Sequence, residues 1–262
     1  MRDLGLDFLT ATEFSPPELI EHAARNGCGN VCLLVQRMNP FPEYNLIGNT
    51  TQRYETREKS RDLGVRIDAI EVFRIKANTD PELFRPAFET AVYLGASGVN
   101  TLSFDSDEGR LGDTYAKLCE IAKEYGLSVL TEVHRSLAHD SITTAVRFFD
   151  KLGLDVKIEL DSLHFYRYGG QIEEILRHRA RIGRAQLCDG PAEATDEDYF
   201  AEAMTRRQIP GEGVLPLVAF IQALPTDIVI GVEVPSPDFE PAERITRALE
   251  ASRGLVARAR ST

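Results

Sequence analysis

"GRLGDTYAKLCEIAKEYGLSVLTEVH" (109–134) carries two periodicities back to back, and their order decides the fold. Leu111, Tyr115, Leu118, Ala122 and Tyr125 recur at spacings of four and three, which is one face of a helix, and Gly126 supplies its stop. "LSVLTEV" (127–133) follows at once and reads as a strand. A helix that runs straight into a strand is half of a β/α repeat, so the rest of the chain is read for the same alternation.

The alternation extends in both directions. Strands are expected at 4–10, 30–36, 65–73, 98–104, 127–133, 156–161, 183–189 and 227–235. Ser15, Pro16 and Glu18 form a capping box that opens a helix ending near Gly27. Further helices are expected at 51–63, at 79–95 with Pro86 delaying or distorting its start, at 142–152, at 171–180, and from Pro241 onward. The excursion at 190–225 holds at least one more, and 37–48 is a polar and aromatic loop containing Phe41 and Tyr44. Eight strands alternating with about eight helices make an α/β chain of (β/α)8 TIM-barrel type. A doubly wound sheet is the rival, and it would want a G-x-G-x-x-G turn after its first strand, which is absent.

The bulk properties narrow the function. The 262 residues are 43% hydrophobic, enough for a full core, and no linker or low-complexity run divides them, so one domain is expected over 1–262. The net charge of −11 opposes nucleic acid and anionic membranes. No run approaches a membrane span, and the charged start "MRDLGLDFLT" does not read as a signal peptide. Cys28, Cys32, Cys119 and Cys188 form no C-x-x-C pair and read as reduced thiols of a cytoplasmic protein.

In a barrel, chemistry gathers where strands end at the C-terminal face. The last four strands end "LTEVH", "ELDSLH", "AQLCD" and "GVEVP", which aims Glu132, Asp161, Gln186 and Glu233 at one point. Taken alone, each acid reads as a solvated loop residue or a cap; four at one level of four neighbouring strands do not. Three converging carboxylates repel one another unless a cation neutralises them, and a set offering only oxygen suits Mg²⁺ or Mn²⁺ better than Zn²⁺. The same alternation turns Lys157 and Glu159 inward beneath Asp161, which implies a buried ion pair lower in the barrel or a shifted register. His22, His139 and His178, on helices or loops, read as solvated, and Glu71 is either a rim ion pair or a substrate contact.

"EVH", "LDSLHFYRYGG", "AQLCDG", "RRQIPGEGVLPL" and "VEVP", in this order and spacing, resemble the xylose-isomerase-like TIM-barrel superfamily over about residues 4–250. That group includes sugar-phosphate isomerases and epimerases, ketose 3-epimerases, hydroxypyruvate isomerase, inosose isomerase and dehydratase, and 3-dehydroshikimate dehydratase. The resemblance implies metal ligands at Glu132, Asp161, Gln186 and Glu233, with Gln186 standing where many members carry His. It implies Mn²⁺ or Mg²⁺, with Co²⁺ or Zn²⁺ as substitutes, and a small carbohydrate-like substrate contacted by His134, His164 and Arg207, with Arg206 as the rival of Arg207. By analogy, it also implies a homo-oligomer.

The implied reaction is isomerisation or epimerisation beside a carbonyl, where a metal stabilises the enediolate and Glu132 and Glu233 remove and return a proton. Arg167, Arg207 and the Gly169-Gly170 backbone could bind a carboxylate or phosphate; Arg167 could equally pair with a nearby acid. The alternative activity is a lyase that dehydrates a keto-polyol on the same scaffold. An endonuclease IV-like DNA repair enzyme shares the barrel, but five histidines and the acidic charge oppose it. The "PGEG" glycines (210–213) read chiefly as a structural loop. The roles of Asp189 and Arg206 stay open.

Overall fold

The structure, a computed structural model, describes residues 3–35, 42, 44, 46–193 and 199–261. Eight parallel strands close into one barrel in chain order. They are β1 (Leu4–Asp7), β2 (Asn30–Leu34), β3 (Arg66–Ile75), β4 (Gly98–Ser103), β5 (Ser128–Glu132), β6 (Lys157–Asp161), β7 (Ile182–Leu187) and β8 (Val229–Val232). Between and after them lie α1 (Pro16–Arg25), α2 (Thr51–Leu63), α3 (Arg85–Leu94), α4 (Glu108–Glu124) and α5 (Ile142–Leu152). The second half adds α6 (Ser162–Arg167), α7 (Ile172–Arg177), α8 (Tyr199–Thr205), α9 (Leu217–Ala223) and α10 (Pro241–Ser261). The expected (β/α)8 barrel is therefore the fold. No helix among the described residues is long and apolar enough to cross a membrane.

Local chemistry explains where the elements differ from expectation. The first strand stops at Asp7 and continues as a 3₁₀ turn over Phe8–Ala11. Pro86 delays the third helix: a 3₁₀ turn over Pro81–Phe84 precedes α3, which takes Pro86 into its first turn, where a missing N–H costs nothing. The third strand runs to Ile75, two residues past the expected end. A short helix, α6, follows β6 where a loop is expected, because the Asp161 carboxylate caps it by accepting from the His164 amide at 3.0 Å. Gln36 and Phe41, at the end of the second expected strand and in the aromatic loop, lie outside the described residues.

Alternation along each strand separates two interiors. Val31, Leu33, Ile158, Leu160, Ala185 and Leu187 face the helices and join one large apolar core. Tyr115 of α4 reaches into that core, its hydroxyl held by Thr101 at 2.7 Å, Ser103 at 2.6 Å and Thr131 at 3.0 Å. The opposite faces point down the barrel axis. Among the described residues, Cys32, Ala69 and Leu130 make the apolar cluster there. The rest of the lower axis is ionic: Arg184 reaches Asp7, Glu159 and, at 2.7 Å, Asp68. Gly231 makes room for this, since a Cβ there would lie 2.4 Å from both Asp7 carboxylate oxygens. The inward turn of Glu159 thus reflects a buried ion pair and not a shifted register, and its partner is Arg184. Lys157 sits at the lower rim and pairs with Asp155 at 3.0 Å.

The lone histidines are less solvated than expected. His139 is buried against the rings of Phe148 and Phe149 at 4.6 and 5.5 Å, and burial pushes its imidazole down to about 4. His22 stacks on Phe14 at 4.2 Å, and His178 meets the Thr143 hydroxyl at 3.3 Å.

Candidate active site

The upper end of the axis opens into a cavity of about 160 Å³. Glu132 ends β5, Asp161 ends β6, Gln186 is the penultimate residue of β7, and Glu233 follows β8. Asp161 and Gln186 are register partners, whereas Glu132 lies beside Glu159, one inward position below Asp161. This stagger follows from the tilt of strands in a closed barrel. Glu132, Gln186 and Glu233 line the cavity, whereas fully buried Asp161 does not and meets Glu233 only through their shared partner Arg207.

Each member has a defined electrostatic setting. Glu132 accepts from His164 Nε2 at 2.7 Å. Burial would raise its carboxyl, but His164 and His134 outweigh burial and hold it below the usual range. Asp161 is likewise desolvated and likewise held low, by Arg207 and His164. Glu233 goes the other way: burial pushes it well up, and Arg207 only partly opposes this. Gln186 donates through Nε2 to Asp7 at 3.0 Å and Glu233 at 3.1 Å, and its buried Oε1 has no partner among the described residues.

Two arginines expected at a substrate are engaged by the protein. Arg207, 3% exposed, donates through Nη1 to Asp161 at 2.5 Å and pairs through the same nitrogen with Glu233 at 2.9 Å. Its Nε donates to the Ala203 carbonyl at 2.7 Å. It still lines the cavity, as one positive charge wedged between two of the expected metal ligands. Arg167 does not line the cavity; it makes a bidentate pair with buried Glu202, Nε at 2.9 Å and Nη2 at 2.6 Å. The Gly169 and Gly170 amides donate to the Tyr166 and Phe165 carbonyls at the end of α6. The expected anion clamp at 167–170 is therefore not assembled: both its guanidinium and its amides serve the packing of α6.

His134 and His164 lie side by side, ring centroids 4.7 Å apart. Burial pushes the His134 imidazole down to about 4, which leaves it neutral and able to ligate or accept. Its Nδ1 accepts from the Ser136 amide at 3.2 Å. His164 Nδ1 meets the Tyr199 hydroxyl, a partner that sequence reasoning missed because Tyr199 opens a helix inside the long excursion. Since Glu132 accepts only, the Nε2 proton is assigned to that bond. Among the described residues, the compact group able to hold a metal ion is Glu132, His134 and His164, with ligand atoms within 4.8 Å of one another. It shares only Glu132 with the expected oxygen set; Asp161 and Glu233 are paired with Arg207.

Glu71 lines the cavity, accepts from Asn100 at 3.2 Å and keeps Oε1 unpartnered; burial and Asp7 push its carboxyl up to about 7 against Arg184. Phe8, Val72, Leu102, Phe104, Phe200 and Met204 form an apolar side that no polar motif could signal. Asp189 stays outside: its carboxylate accepts from the Gly190, Gly211 and Leu215 amides at 2.8, 2.8 and 3.0 Å and ties down the "PGEG" loop. Arg206 lies outside the cavity lining. Tyr44 is elsewhere too, bonded to the Thr12 carbonyl at 3.1 Å.

The sequence model of the family described as "Xylose isomerase-like TIM barrel" matches residues 20–255. Comparison with curated proteins gives no match. Among solved structures, the chain is similar to the IOLI protein with a bound zinc atom, at TM-score 0.81 and 22% identity over 100% of both chains. It is also similar to a probable 3-DHS dehydratase, AsbF, from Bacillus anthracis, at TM-score 0.77 and 17% identity over 96% of this chain and 98% of that one. An L-ribulose 3-epimerase aligns at TM-score 0.75 and 14% identity over 100% of this chain and 96% of that one. At these identities the likeness is one of fold.

Proposed function

Because the chain belongs to the xylose isomerase-like TIM-barrel family, we propose that it is a divalent-metal-dependent isomerase or epimerase of a small polyhydroxy ketone or sugar phosphate. The observation that carries this reading is the placement of Glu132 and Glu233 on one cavity from β5 and β8, in opposite settings. One carboxyl is held low by two imidazoles and the other is raised by burial. Two carboxyl groups pushed apart in this way suit a base and an acid acting on one substrate. Glu132 takes the proton beside the carbonyl, and Glu233 returns one from the other side. His164, fixed between Glu132 and Tyr199, orients the base. His134 accepts from or donates to a substrate hydroxyl.

The donor set fits a divalent cation. A guanidinium nitrogen already bridges Asp161 and Glu233, so the place takes positive charge, and Gln186 offers an unpartnered oxygen. Asp7 can only accept, so it holds the Gln186 Nε2 toward itself and leaves Oε1 for the site. Glu132, Asp161, Gln186 and Glu233 would hold Mn²⁺ or Mg²⁺; the Glu132–His134–His164 group is the second reading, and its two imidazoles suit Zn²⁺. When bound, the cation supplies electrostatic stabilisation of negative charge developing on substrate oxygen.

A second activity, dehydration of a cyclic keto-polyol, is favoured by the apolar side of the cavity, which suits the face of a carbon ring. Both begin with the same proton removal. The test is carbon-bound proton exchange in D₂O across a panel of ketoses and their phosphates, with added Mn²⁺, Mg²⁺ or Zn²⁺. Glu132→Gln and Glu233→Gln are expected to lower turnover by about 10²–10⁴-fold. Full turnover in both variants removes the acid–base assignment. An ultraviolet-absorbing aromatic product from 3-dehydroshikimate selects the dehydratase. Metal affinity falling in Asp161→Asn but not in His134→Ala selects the oxygen set.

A further inference from the structure

Two arginines line the cavity, and they differ in one respect. Arg207 is neutralised by Asp161 and Glu233. Arg74 is half-buried at the upper end of β3, and among the described residues its guanidinium has no hydrogen-bond or ion-pair partner. Its carbonyl accepts from the Thr79 hydroxyl at 3.3 Å. An unpaired cation on the wall of a small cavity is unusual in a chain whose net charge is −11. An acid is available on the same wall. Glu71, three residues earlier, turns its carboxylate toward Asn100 on β4, and no ion pair joins it to Arg74 among the described residues.

The barrel order fixes where Arg74 stands. In a closed ring of eight strands in chain order, β3 lies opposite β7. Arg74 therefore faces the Gln186 side across the mouth. Its register partner on β4 is Leu102, which with Val72 and Phe104 gives the guanidinium an apolar frame on the cavity wall. Such a frame weakens solvent screening and strengthens a charge-assisted hydrogen bond to a planar oxyanion.

We infer that Arg74 binds an anionic group of the substrate, a carboxylate or a phosphate, at the end remote from the reacting carbons. The substrate is thus an anionic hydroxy-ketone and not a neutral sugar. This inference rests on the cavity being the substrate site. It also replaces the expected clamp at Arg167 and Gly169-Gly170, whose donors are engaged within the protein. Arg74 is a specificity-determining residue on this reading: the carboxylates of the cavity oppose an anion, and Arg74 is the lining charge left to offset them.

The test is calorimetric binding of three probes to the full chain, with and without added Mn²⁺: glycerate, glycerol 3-phosphate and neutral glycerol. At least one anion is expected to bind where glycerol does not. Arg74→Gln is expected to weaken that anion by about tenfold or more, with Arg74→Lys in between. Arg66→Gln, at the opposite end of the barrel beside Asp3, is expected to leave it unchanged. Preference for glycerate assigns a carboxylate, and preference for glycerol 3-phosphate assigns a phosphate. The inference is overturned if neither anion binds, if glycerol binds as well as the anions, or if Arg74→Gln binds as the wild type does. No turnover enters the measurement, so its failure leaves the roles of Glu132 and Glu233 standing, and theirs leaves it intact. Among the described residues the Arg74 guanidinium has no internal partner to lose, and an unchanged circular dichroism spectrum verifies that the variants fold.

Discussion

Glu71 shows how much one buried carboxyl can say. Its ordinary value is 4.5, and in the folded chain it keeps its proton up to about 7. Between those pH values the folded state binds more protons than the unfolded state. Stability is therefore greatest below the lower value and falls as pH rises through the window. The swing for one such group is on the order of 3 kcal/mol. Urea unfolding of the metal-free protein and of Glu71→Gln at about pH 4 and about pH 8 measures it: the wild type should lose roughly that much relative to the variant. A constant difference between the two would mean that Glu71 is not protonated in the fold. At this scale the sequence was legible where alternation and strand ends sufficed. Glu132, Gln186 and Glu233 line one cavity, with Asp161 buried outside its lining, because strand period decides which way they point. Arg74 was missed because the third strand runs past its expected end, and Tyr199 because a long excursion gives no register to read. For Arg167, pairing with an acid is one of the two expected readings, and that the acid is Glu202, 35 residues on, is a tertiary fact.

The stretch after β6 is a capped turn of helix, and its Arg167 pins α8 through Glu202. Removing one partner of a buried pair leaves an uncompensated charge, so Arg167→Met is expected to cost about 3–5 kcal/mol. Adding Glu202→Leu should recover most of that loss, and the Michaelis constant of the best substrate should not move in the double variant. Chemical denaturation with steady-state kinetics reads both; a raised Michaelis constant at restored stability would return Arg167 to the substrate. Capping boxes, glycine stops and apolar stripes made α1, α2, α4 and α5 legible because those signals are local. Helices α6, α8 and α9 were not, since each is six or seven residues long and held by what it packs on.

For the whole molecule, the barrel could be counted from the chain, because eight short apolar runs alternating with helical stripes have few other ways to close. Its interior could only be half read. Glu159 announced a buried charge, but Arg184 lay on another strand, with Asp7 and Asp68 brought to it by closure. Arg184→Met is expected to cost about 3–5 kcal/mol or to prevent folding, because three acids lose their counter-charge. Glu159→Gln added to that variant should restore at least about 1 kcal/mol on the same denaturation curve; no gain would mean that Glu159 is already neutral without Arg184. The same ionic cluster has a second consequence, for traffic. Arg184 and its acids, with Cys32, Ala69 and Leu130 beside them, seal the floor of the barrel. For the proposed function, this floor means that substrate enters and product leaves by the upper mouth, since the ionic cluster lies across the axis beneath the cavity.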